Sequence, residues 1–238
     1  MQETRDPRAE WANRIHARWR CHTPPGVRGK LFFKNLRRNL LVGSLIVCME
    51  NKTATRIRET AHDLIADRGY FGFSYADIAE AIGIRKASIH HHFPSKVDLV
   101  VATLKEYRGK MVEAAGSLDH NVTDPLQRLK LYVQHWAECV KSNNRPICIA
   151  ALLSSELPAL PEEIQVEVQL HFRYLVSWVK ATLKEGASSG NLRLQLSTEV
   201  EAQSFVALVH GAMISARALG SSDTFNSITK GALDRLRP

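Results

Sequence analysis

Three consecutive imidazoles, His90-His91-His92, are the densest concentration of reactive side chains in the sequence, set in the stretch IRKASIHHHFPSKVDL. Histidine can ligate a metal, move protons or donate hydrogen bonds, and its spacing decides which. Adjacent helical residues diverge by about 100°, so three in a row fan around a helix and cannot converge on one ion. Helical chelation uses His at i and i+4, whereas the positions three and four from His91 are Ala87, Ser88, Pro94 and Ser95. No Ser, Cys or Asp constellation surrounds the triplet to make it catalytic. The four cysteines, Cys21, Cys48, Cys139 and Cys148, lack CxxC spacing, which argues against a zinc or disulfide framework and for reduced thiols in a cytoplasmic protein. No metal or cofactor is called for, and contact with a polyanion is the chemistry left for the triplet.

The elements around it support that use. Ile57, Ala61, Leu64 and Ile65 form one helical stripe over residues 53–68, and Gly69 is placed to stop the helix. Ser74 with Asp77 makes a capping-box pair for a short helix carrying Ile78, Ala79 and Ile82, which Gly83 ends. A second short helix must fit between Gly83 and Phe93, because Pro94 cannot continue it. Ile89 and Phe93, four apart, form its buried back. Ser95 with Asp98 then caps a long helix running towards Met111. Two short helices joined by a Gly turn predict a helix-turn-helix, whose second member enters the DNA major groove. Lys86, Ala87 and Ser88 fall at the N-terminal end of that second helix, where base edges and phosphates are met.

This segment resembles the N-terminal domain of the TetR family of transcriptional regulators. The resemblance rests on Gly69, Phe73, Ser74, Ile78, Ala79, Ile82-Gly83-Ile84, Lys86, Ser88-Ile89, His91-His92-Phe93, Ser95-Lys96 and Leu99, and covers about residues 53–100. It implies that Ser74 and Tyr75 touch the DNA backbone, that Lys86, Ala87 and His91 face bases, and that Ser88, His90 and Lys96 hold phosphates. The family usually has Tyr where His90 stands. An imidazole is shorter than a phenol there, and phosphate affinity is expected to weaken as pH rises.

The remainder reads as helix throughout, which makes the fold class all-α: an N-terminal three-helix helix-turn-helix domain (51–97) and a larger helical domain (98–238). Asp124-Pro125 opens one helix, RPICIAALLSSEL makes a short one ended by Pro158, and Pro161 opens a long one with Ile164, Val168, Phe172, Leu175, Val179 and Leu183 as its stripe. Two more cover residues 197–219 and 225–236, the former with the small residues Gly211, Ala212, Ser215 and Ala216. The family resemblance implies that this domain binds a small-molecule effector and that its last two helices form a four-helix bundle with a second subunit. A homodimer also suits a short recognition helix, which gains specificity by reading a palindrome of double-stranded DNA. Tyr132, His135, Trp136, Cys148, Phe172 and Trp178 are the effector-site candidates. Cys148 resembles, in its place near the start of a short helix, the sensor cysteine of electrophile-sensing members of the family.

Composition restrains this picture. Net charge is +8, yet the first 48 residues hold ten Lys/Arg against three Asp/Glu, so only +1 belongs to everything after them. Residues 1–50 read as an extension, either disordered or lying ahead of a true start at Met49. No apolar run reaches the 18 residues of a membrane span. His135, His171 and His210 are scattered in sequence, so an enzyme lacks its constellation. The leading expectation is a ligand-responsive, dimeric repressor. A redox or electrophile sensor acting through Cys148, and a DNA-binding scaffold without effector, are the alternatives.

Overall fold

The computed structural model describes residues 38–142 and 147–238, with side chains from Lys52 onward. Most of the N-terminal extension, Cys21 included, lies outside the described residues. The described helices are α1 (Arg38–Arg68), α2 (Tyr75–Ile82), α3 (Lys86–His92), α4 (Lys96–Asn121), α5 (Pro125–Lys141), α6 (Ile149–Glu156), α7 (Glu162–Ser188), α8 (Thr198–Leu219) and α9 (Ser222–Arg235), with a 3₁₀ turn at Leu157–Ala159. The fold class is all-α, a helix-turn-helix head beneath a larger helical bundle. No strand occurs among the described residues. Helix α1 begins at Arg38 and continues through the stripe that starts near Thr53.

Local rules set most of the helix ends. Both capping boxes form: Ser74 with Asp77 opens α2, and Ser95 with Asp98 opens α4. Asp124 caps α5 and Ser197 caps α8 through their side-chain oxygens. Gly83 closes α2 in the left-handed region at φ 69°, which only glycine adopts without penalty.

The head packs Ile57, Ala61, Ile65, Phe73, Ile78, Ile89, Phe93 and Leu99 into one core. Helix α1 belongs to this core and to the bundle's contacts. It packs against α4 and α6, and Arg217 of α8 donates to the Ala66 carbonyl at 3.1 Å. In the bundle, α4 lies along α7, α7 along α8, and α8 along α9. Arg128 of α5, 6% exposed, clamps three elements at one end. It makes a bidentate pair with Glu185 of α7 at 2.6 and 3.0 Å and donates to the Val122 carbonyl after α4 at 2.6 Å. The small residues of α8 divide: Ala212 and Ala216 are buried, whereas Gly211 faces out, where an added Cβ would meet nothing within 4 Å.

Head and bundle also meet at the turn after α1. Gly69 there has φ 72°, and a Cβ on it would fall 1.8 Å from Glu156 Oε1. The other oxygen of the same carboxylate accepts the Tyr70 N–H at 2.9 Å. Gly69→Ala is therefore expected to lower stability by about 1–2 kcal/mol from the left-handed backbone alone, with a further loss from displacing Glu156. A urea midpoint indistinguishable from that of the parent protein would contradict this account.

Candidate nucleic-acid interface and core cavity

Helix α3 separates its side chains by face. Ile89 is fully buried and Phe93 is 7% exposed, so the helix is pinned from behind. Arg85, Lys86, Ala87, His90 and His91 are all exposed on the other side, with Ser88 and His92 half-buried at the margins. Arg85 joins this face although the sequence reading passed over it; its place directly before the helix was the available signal. The histidines do fan apart. His90 sets its ring edge against Tyr75 at 4.8 Å, with Nδ1 3.2 Å from the Pro94 carbonyl, and His91 lies against His92 at 5.4 Å. Ser74 is exposed at the start of α2, its hydroxyl donating to Asp77 at 2.7 Å. That hydrogen bond holds the Asp77 carboxyl below its usual range.

Tyr75 and Lys96 are placed inward. The Tyr75 hydroxyl lies 2.8 Å from the Phe93 carbonyl and 2.6 Å from that of Ser95, which fastens the end of α3 to the start of α4. Burial, with Asp98 and Tyr70 nearby, pushes this phenol up to about 12, so it remains a donor at every working pH. The Lys96 ammonium donates to the carbonyls of Tyr70 and Phe73 and sits 4.5 and 4.1 Å from the centres of their rings. Burial draws its pKa down, while Asp77 and Glu156 work in the opposite direction.

A cavity of about 50 Å³ lies inside the bundle. Helix α4 lines it with Tyr107, Met111, Ala114, Ala115 and Leu118; α5 with Leu131, Tyr132, His135 and Trp136; α7 with His171, Leu175 and Trp178. Four of the six residues singled out in the sequence, Tyr132, His135, Trp136 and Trp178, thus reach its wall. Cys148 and Phe172 stand behind the wall. Cys148 Sγ is 3.7 Å from His171 Nε2, and the Phe172 ring touches the rings of His171 and His210 at 5.5 and 5.2 Å.

The expectation that the histidines stay scattered is corrected here. His171 of α7 and His210 of α8 both act on Cys148, and Tyr107 of α4 stacks on His171 at 5.2 Å. Burial pushes the Cys148 thiol up, but the two imidazoles outweigh it and hold it well below its ordinary value. Burial would lower His210, yet Cys148 and the Val206 carbonyl, 2.9 Å from Nδ1, raise it. Linear spacing could not reveal this group, because three helices supply it. Cys148 itself is fully buried. Among the described residues, no set of three His, Cys, Asp or Glu is arranged to hold a metal ion, and no helix is long and apolar enough to cross a membrane.

Residues 57–103 match the family model described as bacterial regulatory proteins, tetR family, and residues 125–232 match a tetracyclin repressor-like C-terminal domain. A crystal structure of a TetR-family transcriptional regulator from Agrobacterium tumefaciens is 44% identical, with a TM-score of 0.78, covering 79% of this chain and all of that one. The transcriptional repressor DhaR of Mycobacterium sp. (strain GP1) is 27% identical over 160 residues, 66% of this chain and 78% of its own. The reduced form of NemR from Escherichia coli shares the fold, at 20% identity and a TM-score of 0.72 over 79% of this chain and 98% of that one.

Replacing Lys96 with Met keeps the alkyl stem but leaves two backbone carbonyls without their donor. The head is expected to lose about 1–3 kcal/mol, read as faster amide hydrogen exchange over residues 70–95. Unchanged protection there would show that the ammonium does not hold the head.

Proposed function

The chain belongs to the tetR family of bacterial regulatory proteins, and from that membership we propose that it is a transcriptional repressor that binds a palindromic operator as a homodimer and responds to a small molecule held in the bundle cavity. The observation that carries this reading is the course of α4. Its first turn is fastened to the head by Lys96 and by the Tyr75 hydroxyl on the Ser95 carbonyl, and its middle forms one wall of the cavity. A ligand can shift an equilibrium only by binding two states unequally. A cavity of about 50 Å³ is smaller than the roughly 150 Å³ that accepts benzene, so a ligand of even one ring must move that wall. Helix α6 offers a parallel link, from Cys148 behind the cavity to Glu156 on the head's Tyr70.

In the complex, Lys86, Ala87 and His91 face the bases, and Arg85, Ser88 and His90 lie against phosphates. Ser74 meets the backbone through α2, while Tyr75 and Lys96 act by setting the pose of α3. The second subunit packs on the outer faces of α8 and α9, where Ile214 and Ile228 are 49% and 37% exposed. The test is operator binding by the full chain, with the DNA found by genomic footprinting and the oligomeric state by sedimentation. Lys86→Ala and His91→Ala are each expected to weaken operator binding by about 5- to 150-fold, the range for one lost base contact, with the helical circular dichroism unchanged. Wild-type affinity in both variants would remove α3 from the interface.

One observation favours a second reading, in which Cys148 senses electrophiles: its sulfur lies 3.7 Å from His171 Nε2, and His171 and His210 together lower its pKa. Its sulfur would add to an electron-poor alkene such as N-ethylmaleimide, forming a C–S bond, with the imidazolium proton passing to the resulting enolate. Its full burial opposes this unless the bundle opens. Cys148→Ser should then abolish release of the operator by N-ethylmaleimide. Equal release by parent and variant would leave the cysteine a packing role.

A further inference from the structure

The cavity wall contains polar atoms that the protein itself does not satisfy. Trp136 Nε1, Tyr132 Oη and His171 Nδ1 are all buried and make no hydrogen bond of good geometry, the Trp136 N–H leaning only loosely on the Tyr132 oxygen. Trp136 and His171 are 6% and 3% exposed. A buried polar group left without a partner is costly in a folded protein and so calls for an explanation. An indole N–H can only donate. Burial raises the Tyr132 phenol far above its usual range, so it too carries a proton to give.

The remaining walls are flat and apolar. Tyr107 stacks on His171, and Tyr132 stands 5.7 Å from Trp178. The Trp178 N–H is already taken by Asp119 at 3.1 Å, which fixes its ring as a wall and leaves no donor there. Among the described residues no Asp or Glu lines the cavity, so a cation would find no counter-charge there and would meet the positive ends of the donors. An aromatic cage alone would suit a quaternary amine; the donors turn the preference to acceptors.

We propose that the effector is a planar aromatic molecule whose acceptor oxygen, as carboxylate, phenolate or carbonyl, takes the hydrogen bonds of Trp136 and Tyr132 while its ring lies between the aromatic walls. This rests on the reading of the chain as an effector-responsive regulator and names the effector's class. The volume now present has room for one or two waters beside those donors. The ligand's oxygen replaces them, and its ring parts α4 from α5 and α7.

Calorimetry on the full-length protein tests this with 2-naphthoate, 2-naphthol and 2-acetylnaphthalene against naphthalene, 2-naphthylmethylammonium and cyclohexanecarboxylate. At least one oxygenated naphthalene is expected to bind tenfold or more tighter than naphthalene, with the ammonium and the cyclohexane weaker than either. Trp136→Phe and, independently, Tyr132→Phe should each shrink the ratio of naphthoate to naphthalene affinity, and the bound aromatic should weaken operator binding. Equal affinity for naphthalene, preference for the ammonium, or a ratio unmoved in both variants overturns the proposal. So does the absence of binding by every aromatic probe, which would leave only water on the donors. Operator binding measured in parallel separates the two failures. If operator binding persists and a non-aromatic molecule releases it, the class is wrong and the regulator stands; if no operator is bound, the regulator reading falls as well.

Discussion

The first turn of α4 is the constraint on which the rest of the molecule depends. An ammonium on Lys96 is held by two backbone carbonyls of the head and covered by the rings of Tyr70 and Phe73. Beside it, the Ser95–Asp98 box fixes where the helix begins, and the Tyr75 hydroxyl joins that start to the end of α3. Partly desolvated hydrogen bonds are stronger than exposed ones and costly to leave unmade. The recognition face therefore has its orientation set by α4, and any displacement of α4 reaches α3 without passing through a flexible linker.

The same helix carries Tyr107, Met111 and Leu118 into the bundle cavity. Tyr107 stacks on His171, and His171 holds Cys148, the residue from which α6 departs. Helix α6 ends at Glu156 on the head's Tyr70 N–H. Two elements of the head–bundle contact thus start from the same cavity, one through α4 and one through α6. The bundle resists at the far end, where Arg128 ties α5, α7 and the loop after α4 together.

The buried cysteine illustrates how environment decides chemistry. Cysteine buried among apolar side chains has a raised pKa and is inert. Two imidazoles beside Cys148 reverse that preference, while its complete burial limits access. Activation and accessibility are separate properties, and here they point in opposite directions.

Much of this was legible residue by residue. Ser74–Asp77, Ser95–Asp98 and Asp124-Pro125 marked helix starts because capping needs only neighbours in sequence. Gly69 and Gly83 marked stops because both positions require positive φ. The stripes of α1, α5 and α7 followed from helical period, and the triplet's inability to chelate followed from the angle between successive residues. What the sequence by itself determined is therefore the order of helices, the helix-turn-helix and the outward set on α3. Only the tertiary structure decided that Tyr75 and Lys96 turn inward, that His171, His210 and Cys148 meet, and that Trp136 and Tyr132 present polar groups to one cavity. The physical reason is range: caps and periods act within one or two turns, whereas burial and convergence depend on which helices pack together and at what angle.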